Sequence, residues 1–169
     1  LAGLKTRDKA KTFIYAFLYG AGDAKIGSIV GRDSSVGKTI KERFLENTPS
    51  LAKLKQKVGK ASDKGYLKAL DGRHIRVRSE HAALNFLLQS AGAIIAKRAW
   101  VIFHELATHL NYKQLGVIHD EIQIECSPED AEEIGQLAVK AMELTTDYYK
   151  LSCPMSGEYK IGRSWNDTH

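Results

Sequence analysis

Cysteine is scarce in this chain of 169 residues: Cys126 and Cys153 are too few for a disulfide scaffold, and neither stands at a metal-ligand spacing from the other or from the six histidines. A reducing, cytoplasmic setting is therefore expected. Long apolar runs are missing as well. The longest, Leu84 to Phe103, is interrupted by Asn85, Gln89, Lys97 and Arg98, short of the roughly 20 apolar residues that cross a bilayer. No transmembrane helix and no membrane partner is expected. Leu1 to Arg7 have neither an initiator Met nor the basic, apolar and small-residue order of a secretory signal, and read as a cut through a longer chain. What is present is 43% hydrophobic and 27% charged. Such a composition excludes disordered and fibrous chains, and the length suffices to bury a core in one domain or two small lobes.

Charge is divided unevenly. Residues 1–78 hold 18 Lys and Arg against 7 Asp and Glu, a net +11, whereas residues 79–169 hold 7 against 13, a net −6. The asymmetry suits one lobe that meets a polyanion and another that does not, although a merely soluble, Lys-rich surface has the same composition.

Apolar residues recur at helical spacing from Lys5 to Tyr19, where Gly20-Ala21-Gly22 stops the pattern, and again over Ala24 to Val30, Ser35 to Glu46 and Pro49 to Lys60. Near Ser62 to Gly65 the texture changes. Tyr66–Leu70 and His74–Arg78 predict two strands joined by Asp71-Gly72-Arg73, followed by a long helix from about His81 to about Leu110. Gln114–Ile118 and Ile122–Cys126 predict a hairpin with His119, Asp120 and Glu121 at its tip. Ser127-Pro128-Glu129-Asp130 reads as the cap and first turn of a helix to about Lys150. Glu158–Gly162 predicts one more strand. No internal repeat interrupts a picture of a helical lobe followed by an α+β lobe.

Three constellations could carry chemistry. Arg7, Lys11, Tyr15 and Tyr19 stand four residues apart, so on a helix they share one stripe about three turns long. Two cations followed by two rings match a triphosphate followed by a sugar and base, since Arg grips phosphate with a planar fork and Lys with a point charge. Solvated cations beside two core tyrosines would give the same spacing. At His119-Asp120-Glu121, adjacent acids on a strand project to opposite faces, so one carboxylate, Asp120, could reach a hard cation such as Mg²⁺; acids in turns are also common. His81, Asn85 and Gln89 form a polar row. Such a row is either the wet face of a helix or a set of donors and acceptors for minor-groove base edges.

In this order the residues resemble a known family. Arg7 to Gly27, with Lys11, Tyr15, Tyr19 and Asp23 in place, looks like motif B, the O helix in the fingers of family A DNA polymerases, and is similar to the branch found in T-odd phages. Leu70–Arg73 and His81–Gly92 resemble the segments that approach the primer-template. Val117–Gln123 looks like motif C, and Gly162–His169 like the family's C-terminus.

The resemblance implies that Arg7 and Lys11 hold the triphosphate of a deoxynucleotide, with Lys11 also suited to protonate the leaving pyrophosphate. It implies that Tyr15 lies against the incoming sugar and Tyr19 near the templating position. In this family Tyr at the position of Tyr15 goes with tolerance of dideoxynucleotides. Asp120 would be one of two aspartates holding paired Mg²⁺ ions, with Glu121 supporting that site. His119 would lie near the primer end, and Arg73, His81, Asn85 and Gln89 along the duplex. The expected fold is α+β: helical fingers over residues 1–64 and the C-terminal part of an antiparallel palm over residues 65–169.

The family's second aspartate belongs to motif A, upstream of motif B and outside these residues. A half site of this kind is expected to be inactive alone and to need an upstream polymerase segment as partner. The chain is then either a piece of a longer polymerase or half of a naturally split one. Two alternatives stand beside this: a non-catalytic DNA- or nucleotide-binding module, for which the basic half alone would suffice, and a fragment of a single-subunit RNA polymerase, whose motif B has similar Arg and Lys spacing.

Overall fold

The first helix forms where the sequence offers both a cap and an apolar face. Thr6 Oγ1 accepts the Lys9 amide at 3.3 Å, and Asp8 sits in the positive first turn of α1, Arg7–Leu18. The helix closes with Gly20 N–H to Phe17 O at 3.0 Å and Ala21 N–H to Ala16 O at 2.9 Å, the Schellman pattern, with Gly20 at φ +80°. Glycine is required there twice over. The left-handed angle strains any L side chain, and a Cβ would fall 2.1 Å from the His81 carbonyl oxygen.

The computed structural model describes residues 2–168 and divides into two compact units, Leu1–Ser90 and Ala91–His169. In the first, α1 is followed by α2 (Asp23–Ile29), α3 (Ser34–Glu46) and α4 (Pro49–Ser62), close to the helical periods of the sequence. Phe13, Phe17, Ile26 and Phe44 form the core. Phe44 meets both other rings edge-on, at 5.1 and 5.2 Å between centroids, the arrangement that aromatic quadrupoles favour. A second cluster, Val58, Leu67, Ala83 and Leu84, joins α4 to the hairpin of β1 (Tyr66–Lys68) and β2 (His74–Arg76) and to the start of α5 (Ala83–Leu106). A 3-10 turn over Glu80–Ala82 precedes α5.

The second unit holds the rest of α5, an antiparallel hairpin of β3 (Tyr112–Ile118) and β4 (Glu121–Cys126), then α6 (Ala131–Tyr149) and the single turn α7 (Trp165–Thr168). Phe103, Ala107, Ile134 and Ala141 are its core, with Trp100 and Tyr112 packed against them. Helices with two small antiparallel sheets make the chain α+β, as expected.

Four local expectations change. α5 stops at Leu106 rather than near Leu110, because the chain turns at Ala107, with Leu110 N–H to Ala107 O at 3.1 Å. That turn brings the Tyr112 ring edge-on to Phe103 at 5.0 Å. α6 begins at Ala131, not at Pro128: the Ser127 hydroxyl donates to Asp130 Oδ2 at 2.8 Å instead of accepting a helix amide. Glu158–Gly162 is no strand. It packs on α6 instead, where a Cβ on Gly135 would fall 2.2 Å from the Tyr159 ring. Finally, the helix over Glu80–Leu106 reaches a mean hydropathy of 1.3 in its most apolar window, enough by length and composition to cross a membrane, which the interrupted run did not suggest. The ends of α5 serve as core, Ala83 and Leu84 in one unit and Phe103 in the other.

Candidate functional site

The α1 stripe is real and faces outward. Arg7, Lys11 and Tyr15 on α1 and Tyr19, its C-cap rather than its last helical residue, are all exposed, and burial separates the four aromatics cleanly. Phe13 and Phe17 keep 2% and 5% of their surface, while Tyr15 and Tyr19 keep 53% and 55%. The tyrosines are therefore not core residues, because the phenylalanines supply the core and leave both tyrosine rings exposed. Asp23, after the turn, is engaged elsewhere. Its carboxylate pairs with Lys41 at 2.8 Å, and that hydrogen bond holds it below the usual carboxylate range.

Part of the polar row meets this stripe. Gln89 Nε2 donates to the Tyr19 hydroxyl at 2.9 Å, a contact between two motifs that the sequence shows only as separate. Gln89 is exposed and Asn85 half-buried on α5. His81 departs from the helical row, since it lies in the 3-10 turn before α5, with its backbone carbonyl against Gly20. Arg73 is not a free cation. Its Nε and Nη2 grip Asp71 Oδ2 at 2.7 and 2.5 Å. Although partial burial pushes the Asp71 carboxyl up, the Arg73 hydrogen bonds and charge outweigh it, so the acid stays below its ordinary range.

In the second unit the hairpin tip is tighter than a three-residue turn. Ile118 pairs with Glu121, leaving His119 and Asp120 as the two-residue loop, and Glu121 becomes the first residue of β4. His119 takes φ +57°, a left-handed conformation uncommon outside glycine and enriched at functional sites. His119 and Asp120 are both exposed. Glu121 is only partly exposed, and its Oε1 accepts hydrogen bonds from Trp165 Nε1 at 2.9 Å and from Gln123 Nε2. The two acids therefore differ in kind: Asp120 points a carboxylate outward, and Glu121 is tied into the unit. Among the described residues no three His, Cys, Asp or Glu side chains gather into a metal cluster. The tip offers Asp120, a single hard oxygen donor, which suits Mg²⁺ as one ligand of a larger set.

Trp165 is the residue that sequence reasoning missed here. Nothing local marks it, since its partner lies 44 residues earlier.

The model for DNA polymerase family A matches residues 3–167. The DNA-directed DNA polymerases of Enterobacteria phage T3 and Escherichia phage T7 are each 41% identical to the chain over 193 residues, covering 99% of it and 27% of their own length. DNA polymerase I of Aquifex aeolicus is 28% identical over 170 residues, 94% of this chain and 30% of the relative. A solved structure of the POL domain of Pol1 from M. smegmatis, in complex with DNA primer-template and dNTP, has a TM-score of 0.77 at 22% identity, covering 95% of this chain and 30% of that one. That last likeness is one of fold. The chain belongs to DNA polymerase family A, and it spans under a third of the length of these relatives.

Proposed function

We propose that the chain is the motif B and motif C portion of a template-directed DNA polymerase, with fingers over residues 1–64 and part of the palm over residues 65–169. It would add deoxynucleoside triphosphates to a primer 3′ end. The observation that carries this is the exposed row of Arg7, Lys11 and Tyr15 on α1 and Tyr19 at its C-cap, in a chain 41% identical to phage DNA-directed DNA polymerases.

In this proposal Arg7 grips phosphate oxygens with its fork and Lys11 adds a point charge. When the primer 3′-hydroxyl gives up its proton to water and its oxygen bonds to the α-phosphorus, the bond to pyrophosphate breaks, and Lys11 gives its proton to that leaving group. Tyr15 lies against the incoming sugar and Tyr19 near the templating base. Asn85, Gln89, His81 and Arg73 line the duplex, whose minor-groove edges are nearly degenerate and can be checked for shape without reading sequence. His119 sits near the primer end.

Asp120 contributes one carboxylate for Mg²⁺, with Glu121 supporting the site, and the second aspartate comes from a segment outside these residues. When bound, Mg²⁺ supplies charge neutralisation at the phosphates and a more acidic primer hydroxyl. With one carboxylate of two, the 169 residues alone are expected to be inactive. The setting is a bacterial cytoplasm, host or own, and the partners are primer-template DNA, deoxynucleotides and the segment that carries motif A.

Primer extension with Mg²⁺ and four deoxynucleotides tests this, run with the chain alone, with a polypeptide supplying motif A, and with Asp120→Ala in the same mixture. Activity only in the mixture, abolished by the substitution, is expected. Activity of the chain alone would refute the half-site account, and salt-dependent DNA binding without extension in any mixture would favour a binding module instead.

A further inference from the structure

The C-terminal segment has no role in the mechanism above, yet its side chains reach the motif C hairpin. The backbone amides of Arg163 and Ser164 and the Ser164 hydroxyl all donate to Asp167 Oδ2, at 3.0, 2.9 and 2.9 Å. Three donors on one carboxylate oxygen cap the single turn α7, in which Asp167 itself lies. The turn holds Trp165 with its ring half exposed, at 50%, so apolar burial alone does not explain its position. Its indole nitrogen instead donates to Glu121 Oε1 at 2.9 Å, and Thr168 Oγ1 reaches Gln123 Oε1 at 3.4 Å, one strand position from the Ile122–Val117 pair. Gln123 itself donates to Glu121.

The tip it braces needs holding. His119 is left-handed without being glycine, and β4 begins directly after Asp120. A Glu121 held by its carboxylate therefore gives the strand a fixed point next to the proposed metal ligand.

We propose that Trp165 is a positioning residue for motif C. Its N–H holds the Glu121 carboxylate, leaving Asp120 as the exposed acid, and so anchors the first residue of β4 beside the His119-Asp120 loop. This rests on the polymerase reading for its consequence, although the contact itself does not. A hydrogen bond to a charged partner is among the stronger neutral-donor bonds, and losing it would cost about tenfold in a rate that depends on the geometry it holds.

The contact is tested on the chain alone. Of the two tryptophans, Trp165→Phe identifies the Trp165 indole N–H resonance in the ¹⁵N-labelled protein, and Glu121→Ala is expected to move that resonance while leaving Trp100 in place. An unmoved Trp165 signal overturns the proposal whatever the kinetics give. The consequence is tested in the assembled polymerase with motif A supplied. Trp165→Phe, which keeps the ring and removes the donor, should lower kcat about tenfold with the deoxynucleotide KM unchanged. In a Glu121→Ala background it should have no further effect. Equal kcat in Trp165→Phe and the parent overturns positioning, as do additive effects of the two substitutions. If Asp120→Ala leaves extension intact, the polymerase site itself is misassigned and the brace has nothing to position; if Asp120→Ala abolishes extension and Trp165→Phe does not impair it, the brace alone is wrong.

Discussion

Gln89 Nε2 donates to the Tyr19 hydroxyl at 2.9 Å, joining the last turn of α1 to the first turns of α5 across 70 residues of sequence. The bond is exposed, so its net worth is at the low end for such pairs, about 0.5 kcal/mol. Tyr19→Phe and Gln89→Leu should each destabilise the chain by about that amount, and the double variant by no more than either alone, because both remove one interaction. Urea melts of the three variants check this. Additive losses would mean that the two side chains act separately.

Tyr15 gives the sharpest expectation about substrate. Its ring and hydroxyl are exposed, and the family resemblance associates a tyrosine here with acceptance of nucleotides lacking a 3′-hydroxyl. In the assembled polymerase, dideoxynucleotides should therefore compete well with deoxynucleotides, and Tyr15→Phe should raise discrimination by at least about tenfold. Strong rejection of dideoxynucleotides by the parent enzyme would refute the expectation.

Gly27 on α2 and Gly37 on α3 allow the two helices to touch backbone to backbone. A Cβ on Gly27 would lie 1.9 Å from the Asp33 carbonyl oxygen, and one on Gly37 would lie 1.9 Å from that of Asp23. Backbone cannot swing aside as a flexible side chain can, so the helices must separate. Gly27→Ala should destabilise the first unit by about 1–3 kcal/mol despite the better helix propensity of alanine. A melting temperature equal to or above the parent's would contradict this packing.

Glu132 and Tyr159 predict a pH window. The Tyr159 hydroxyl donates to Glu132, which holds the carboxyl below its ordinary 4.5 and the phenol above its ordinary 10.0. The acid's contribution is fully present above the unfolded carboxylate value and is lost as pH falls through the lower folded one. The phenol's contribution is present below the unfolded tyrosine value. It is lost as pH rises, because the unfolded chain gives up that proton first. The contribution of this pair should thus be flat between the two ordinary values and fall at both ends, and Tyr159→Phe should make both limbs shallower. If the variant melts with the same pH profile as the parent, the pair contributes nothing.

Much of the fold could be read from local pattern. The four N-terminal helices follow their apolar periods, and Gly20 was visible as a stop because only glycine takes the left-handed angle there. The α+β class and the tight acidic hairpin follow from the change of period at residues 62–66 and 112–126. The errors share a cause. Ser127-Pro128 looked like a helix start, but its hydroxyl had a nearer partner in Asp130. Glu158–Gly162 has strand composition, but Tyr159 packs its ring on Gly135 of α6 instead.

By itself the sequence determined that Arg7, Lys11, Tyr15 and Tyr19 share one helical stripe, because a spacing of four residues decides a common face. It could not say whether that face was core or solvent. Only the tertiary structure decided that, by seating Phe13 and Phe17 against Phe44 and so turning the tyrosines outward. In the same way the sequence placed two acids side by side at a hairpin tip, and tertiary structure made them different: Trp165, 44 residues away in the chain, holds one and leaves the other exposed. Periodicity is a property of neighbours along the chain, whereas burial and partnership depend on what folding brings from elsewhere.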